Sequence, residues 1–470
     1  MTTTTTTNER EREREARRLR TVTWIVVLAT LGLVFDGYDL VVYGAVVSTL
    51  LRDPTQLGPV TPAIAGSLGS YALIGVMAGA LLAGAVGDLL GRRKVMLLSY
   101  AWFSLGMALT AMATTHATFG WLRFATGLGI GALLATTAAL VAEYAPRGRK
   151  NMINAITNGG IPLGSLLAAG LAMLLMEHIG WRGLFWIGAL PMVTLLPLAW
   201  WRMPESVAWL AARGRLQEAR AVAERTGMDL PLHVPASPAA PVAEQGRAGF
   251  AGLFGAHYLF ATLVLGLMSA TGLMLVYSLN TWLPEIMLRA GFHAKGSLAF
   301  LLVLNGGSLF GALAASRAAD HFGPKPVVAC CFAIGAIALV LLTLGFPLAG
   351  LLAIVAVVGL GTSGTQTLIY GFVANYYRTG VRAAGVAWCA GFGRLGGIGG
   401  PLLGSTMIGA GLALDAMFHA LAGLGMLGAL LTLLVPMARA QREQSRAVEP
   451  AAAPRPSRAP APAPAPAVAA

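Results

Sequence analysis

From Val22 to Leu51 the chain runs for thirty residues with Asp36 and Asp39 as its only charged side chains. A helix needs about 20 predominantly apolar residues to cross the hydrocarbon core of a bilayer. Comparable runs begin near residues 22, 63, 95, 119, 153, 183, 257, 297, 326, 350, 384 and 414. Lipid offers backbone groups no hydrogen bonds, so a spanning segment must satisfy them internally, as a helix does. The pattern therefore predicts an all-α integral membrane fold of about twelve transmembrane helices. Charged residues make up only 11% of the chain, against about 25% in soluble domains. An even number of spans puts both termini on one side.

The formal charge of +13 raises the question of a nucleic-acid partner, and the placement of the basic residues answers it. Of 33 Lys and Arg, 27 fall in the termini and even-numbered loops. Four (Arg52, Arg182, Arg289, Lys295) fall in odd-numbered loops, and two, Arg123 and Arg394, fall within spans. This is the positive-inside distribution, so both termini are expected in the cytoplasm, with the lipid bilayer as partner and no nucleic acid.

Residues 1–21 read as a solvated N-terminal extension, since no small-residue cleavage site follows as in a secretory signal. Residues 437–470 are rich in Pro and Ala and are expected to be disordered. Cys330, Cys331 and Cys389 lie in apolar spans and predict neither a disulfide nor a metal site. The membrane pattern lapses over residues 203–256, which begin with an amphipathic helix and continue as a Pro-rich linker. That loop divides the chain into six-helix halves, residues 22–202 and 257–436. At an offset of 232 residues Asp88 falls on Asp320, Gly91 on Gly323, Gly127-Leu128-Gly129 on Gly359-Leu360-Gly361, Tyr144 on Tyr376 and Gly164 on Gly396. These agreements predict a duplicated unit, two parallel halves with a solute site between them near mid-membrane.

Three motifs carry chemistry. "GDLLGRRK", Gly87 to Lys94, joins spans two and three and has a weaker echo in "ADHFGPK". Its glycines allow a tight turn, and Asp88 can face a helix N-terminus or an arginine. Asp88, Gly91, Arg92, Arg93, Glu143 and Asp320 are therefore the candidate gate or latch residues. "RFATGLGIG" buries Arg123 in span four, where it must find a carboxylate, carbonyls or water. "RAAGVAWCAGFGRLGGIGGPLLG" buries Arg394 in span eleven among glycines that permit close helix approach, and its guanidinium can grip a carboxylate in a bidentate contact.

These residues resemble the major facilitator superfamily, and within it the aromatic acid:proton symporters, over roughly residues 22 to 436. "GDLLGRRK", "RFATGLGIG" and "PESVAWLAARGR" are superfamily signals, the last also similar to sugar porters. "DGYD" with "VRAAGVAWCAGFGRLGGIGGPLLG" is more specific, and "FDGYDLVVYG" followed by "GSYALIGVMAGALLAGAVGDLLGRRK" looks most like the benzoate-type members. The resemblance implies that Asp36, Asp39 and Asp88 matter for transport. "YYRTGVRAAG" departs from the Tyr-Pro and Ala-Thr-Gly that many members carry, which bears on the substrate subtype.

Asp36 and Asp39, at i and i+3, share a helix face in a low-dielectric setting, an arrangement suited to carrying a proton. The alternative is that either one simply pairs with Arg123 or Arg394. All seven histidines fall in loops or at span ends on this reading, so Asp36, Asp39 and Arg123 are the proton-coupling candidates. An aromatic carboxylate, benzoate or a hydroxybenzoate, would need a cation, for which Arg394 is the first choice. Tyr38, Tyr43, Tyr277, Trp282, Tyr370 and Trp388 could offer ring faces, and Asn158, Asn280 and Gln366 could read ring hydroxyls. The chain is thus expected to be a monomeric proton symporter of the bacterial inner membrane, working without cofactor or metal. A sugar or other solute porter, or a drug/proton antiporter, of the same fold is the rival. A membrane enzyme is disfavoured, because no nucleophile triad or metal-ligand spacing is present.

Overall fold

The computed structural model describes residues 2–146, 150–230, 249–255 and 258–436. The expectations for the linker at 231–248 and for the tail at 437–470 fall outside these residues. Ten helices are each long and apolar enough to span a membrane, and two further crossings complete twelve. Spans one to four are Thr2–Arg52, Pro62–Leu90, Arg92–Ala111 and His116–Tyr144. Spans five and six share the helix Gly160–Gly188, bent where Gly180 takes φ +64°. Span six then continues through a 3-10 turn, Leu190–Met192, into Leu195–Arg202, so no single uninterrupted helix makes the whole crossing. Spans seven to nine are Leu259–Arg289, Ala294–Phe322 and Pro324–Leu341, and span twelve is Leu414–Leu434. Span eleven, Thr379–Gly409, carries ten glycines and Arg394, which dilute its apolarity.

Span one is one unbroken helix of 51 residues, about 75 Å at 1.5 Å per residue. The N-terminal extension therefore projects as its first turns, where Arg14 and Arg18 meet Asp229 at 3.0 and 3.5 Å and the Thr21 hydroxyl donates to the Thr226 carbonyl at 3.3 Å. Asp229 and Thr226 belong to the central segment, whose described part contains the helices Val207–Ala212 and Leu216–Thr226.

The two halves repeat each other's packing, spans one with five and two with four against seven with eleven and eight with ten. One departure breaks the repeat. Span ten runs Leu348–Gly359, then a π turn at Leu360–Gly364, then Thr365–Tyr376, whereas the corresponding Gly127-Leu128-Gly129 lies in regular α-helix. Span one packs on seven, two on eleven and five on eight across the junction of the halves. The face with "GDLLGRRK" and the central segment is called the basic face below. Polar contacts between the halves sit toward the opposite end, where the Ser70 hydroxyl donates to the Ile398 carbonyl at 2.8 Å and Arg52 meets Glu285. No hydrogen bond or ion pair between described residues joins the halves at the basic face. The molecule is closed at one end of its seam.

Candidate functional site

Asp39 is 4% exposed and forms an ion pair with Arg123, which is 3% exposed. The guanidinium also lies over the Tyr43 and Phe185 rings, 5.5 and 5.8 Å from their centroids. Dehydrating two such ions costs several kcal/mol each, repaid only by close, well-partnered geometry. Span four thus offers its one interior cation to span one. Asp36, one turn away, makes no hydrogen bond or ion pair among the described residues. Arg394, from the other half, and Asp39 lie within electrostatic reach of its carboxylate. The Tyr277 hydroxyl lies within electrostatic reach of Arg394, Asp36, Tyr370 and Asp39.

The glycines of span eleven set up this meeting. A Cβ on Gly396 would lie 1.9 Å from the Ala270 carbonyl oxygen, so only glycine lets spans seven and eleven come this close. Gly397 packs on the Tyr277 ring in the next turn. Arg394 is brought beside Tyr277 and opposite Asp36, and is itself only partly buried. The result is a carboxylate on one half and a guanidinium on the other, attracted but not in contact, with two tyrosines nearby. Such a pair can accept a small anion or a proton without first breaking a hydrogen bond.

The remaining candidates are dispersed. Tyr38 and Tyr43 are buried within the N-terminal half, donating to the Leu184 and Ala65 carbonyls at 2.8 and 2.5 Å. Trp282 is fully buried at the closed end, and its indole donates to the Pro401 carbonyl at 2.9 Å. Asn280 donates to the Val276 carbonyl at 2.8 Å and accepts from Asn305 at 3.0 Å. Gln366 donates to the Ser269 hydroxyl at 3.2 Å, while its carbonyl oxygen, buried without a hydrogen-bond donor, abuts Gly272. Trp388 donates to the Thr262 carbonyl at 2.9 Å and stacks on Phe392. Asn158 is exposed and bonded to Asn154. Apart from the Gln366 carbonyl oxygen, the hydrogen bonds of these side chains run within the helix bundle.

The latch candidates assemble at the basic face. Arg92 bridges Asp88 at 2.9 Å and Glu143 at 3.2 Å, tying spans two, three and four together. The central segment adds Glu205, whose carboxylate accepts from the backbone N–H groups of Arg93 and Ser206, both at 3.0 Å. Trp209 donates to the Asp88 carbonyl at 2.9 Å, and Arg93 donates to the Trp200 carbonyl at 2.6 Å. Gly91 has φ +95°, and a Cβ there would stand 2.4 Å from a Glu205 oxygen. Gly91→Ala should therefore both strain the turn and expel Glu205, lowering uptake severalfold at normal membrane insertion. Wild-type uptake in that variant would remove the turn from the latch. Asp320 is exposed and makes no ion pair among the described residues, whereas its counterpart Asp88 joins this network. Sequence reading did not single out Glu205, although "PESVAWLAARGR" contains it.

The Sugar (and other) transporter family matches residues 24–434. The chain belongs to this family of the major facilitator superfamily. It is 34% identical over 387 residues to the benzoate transport protein of Acinetobacter baylyi, covering 81% of this chain and 82% of that protein. It is 33% identical to the gallate transporter of Pseudomonas putida, covering 89% and 92%, and 32% identical to the gentisate transporter of Corynebacterium glutamicum, covering 82% and 81%. Among solved structures, the D-xylose-proton symporter matches with a TM-score of 0.69 at 18% identity, covering 89% of this chain and 98% of that one. The inward open conformation of the xylose transporter XylE from E. coli matches at 0.67 and 19%, covering 88% and 96%. At these identities the structures speak for the fold. The protein is a multi-pass membrane transporter and not an enzyme.

Proposed function

We propose that this transporter imports an aromatic carboxylate, benzoate or a hydroxybenzoate, together with protons. It would act as a monomer in a bacterial inner membrane with the basic face toward the cytoplasm. The single observation that carries the reading is the opposition of Asp36 and Arg394 across the junction of the halves, with Tyr277 and Tyr370 beside them. The names of the benzoate, gallate and gentisate transporters support the substrate class, and the gathering of 27 of 33 basic residues in the termini and even-numbered loops supports the orientation.

The mechanism follows from charge balance. Arg394 has two rival anions, the Asp36 carboxylate and the carboxylate of the substrate. A proton on Asp36 removes the internal rival and leaves Arg394 to bind the substrate. After release of substrate and proton, Asp36 again neutralises Arg394, and the empty carrier returns without an unpaired buried charge. Asp39 and Arg123 stay paired throughout and fix the angle at which span one presents Asp36.

Counterflow in proteoliposomes with radiolabelled benzoate, hydroxybenzoates, gallate, xylose and a cationic dye tests the substrate class. Exchange of the aromatic acids alone is the expected result, and exchange of xylose or the dye without them would overturn it. Arg394→Lys should raise the half-saturation concentration about tenfold, because an ammonium cannot reproduce the planar fork. Unchanged half-saturation with a lost maximal rate would place Arg394 in gating instead.

A further inference from the structure

Glu285 is the buried acidic residue at the closed end of the seam, with its side chain 3% exposed. It lies on span seven, immediately after Pro284. Arg289, one turn on in the same helix, holds one carboxylate oxygen at 2.9 Å. Arg52, at the end of span one in the other half, reaches the second oxygen at 3.5 Å. That second oxygen has no hydrogen-bond partner and is shut off from solvent, so Arg52 is its source of compensation. The backbones of spans one and seven also pack closely here. Proline at 284 lacks the N–H that would bond the Asn280 carbonyl, and that carbonyl abuts Gly44 of span one, where a Cβ would lie 1.8 Å from its oxygen. Separating spans one and seven would break this close packing and pull Arg52 away from Glu285.

We propose that Arg52 and Glu285 form the latch that keeps this end of the transporter closed, with Arg289 holding the Glu285 carboxylate in place whether the latch is engaged or not. The cross-half arm sets how often the end opens, while the arm within span seven does not. This holds whichever solute is carried, so it stands or falls apart from the proposed substrate.

Ser48 gives a reporter, since it is buried, has no hydrogen-bond partner, and lines a cavity of about 120 Å³ together with Arg52 and Pro284. Ser48→Cys is introduced into a chain whose Cys330, Cys331 and Cys389 have been replaced by alanine, and the rate of alkylation by a charged maleimide is measured in proteoliposomes. Glu285→Gln and Arg52→Gln should each raise that rate at least fivefold, the double variant should raise it no further than either alone, and Arg289→Gln should change it less than twofold. An unchanged rate in Arg52→Gln, additive effects in the double variant, or an effect of Arg289→Gln equal to that of Arg52→Gln would overturn the latch. Because Arg52 is half exposed and its replacement leaves the core intact, that variant decides the matter even where Glu285→Gln fails to fold.

Discussion

Arg123→Gln should abolish transport and strip the N-terminal half of a large part of its stability. The substitution leaves the Asp39 carboxylate buried with no counterion, and breaking a buried pair in this way costs about 3 to 5 kcal/mol. The expected readout is a marked fall in the thermal midpoint of the detergent-purified protein. Adding Asp39→Asn removes the orphaned charge, so the double variant should regain most of the lost midpoint while transport stays absent. A wild-type midpoint in Arg123→Gln would mean that the pair contributes nothing to folding. A double variant that regains transport would mean that the pair is structural alone.

Asp36→Asn should behave in the opposite way, with full stability and lost coupling. Asp36 makes no hydrogen bond or ion pair among the described residues, so the amide, its near-isostere, disturbs no packing. In proteoliposomes an imposed pH difference should no longer drive accumulation of aromatic acid, and the alkalinisation that accompanies uptake should vanish. Exchange of labelled for unlabelled substrate should persist, since exchange never needs the carrier to return empty and deprotonated. Concentration of substrate by the variant in response to the pH difference would end the assignment of Asp36 as proton carrier. An effect on stability as large as that of Arg123→Gln would show that Asp36, too, belongs to the packed interior.

Both predictions turn on a distinction between two residues that the sequence treats alike. "DGYD" places the carboxylates at i and i+3, neighbours on a helix but still about 60° apart around its axis. That angle is enough for Asp39 to enter the half containing Arg123 while Asp36 looks across the junction toward Arg394. The spacing shows that both lie within the membrane, but not which cation each meets.

What the sequence by itself determined are the properties written locally along the chain. Hydropathy and length define the spans because lipid demands internally bonded helices. The offset of 232 residues reveals the two halves, and "GDLLGRRK" marks the loop in which Asp88 can face a helix N-terminus or an arginine. The tertiary structure decided every question of partnership. The Asn280 amide and the Trp282 indole N–H, for example, are engaged by neighbouring helices, because in lipid an unbonded polar group is costly and neighbouring helices are the nearest source of partners. Nothing in the local sequence marks Glu205 or Glu285, yet one reaches the backbone of Arg93 across 112 residues of chain and the other reaches Arg52 on the opposite half. Which charges meet depends on how twelve helices rotate and lean against one another. That is set by side-chain packing summed over the whole bundle, and no local stretch of sequence contains it.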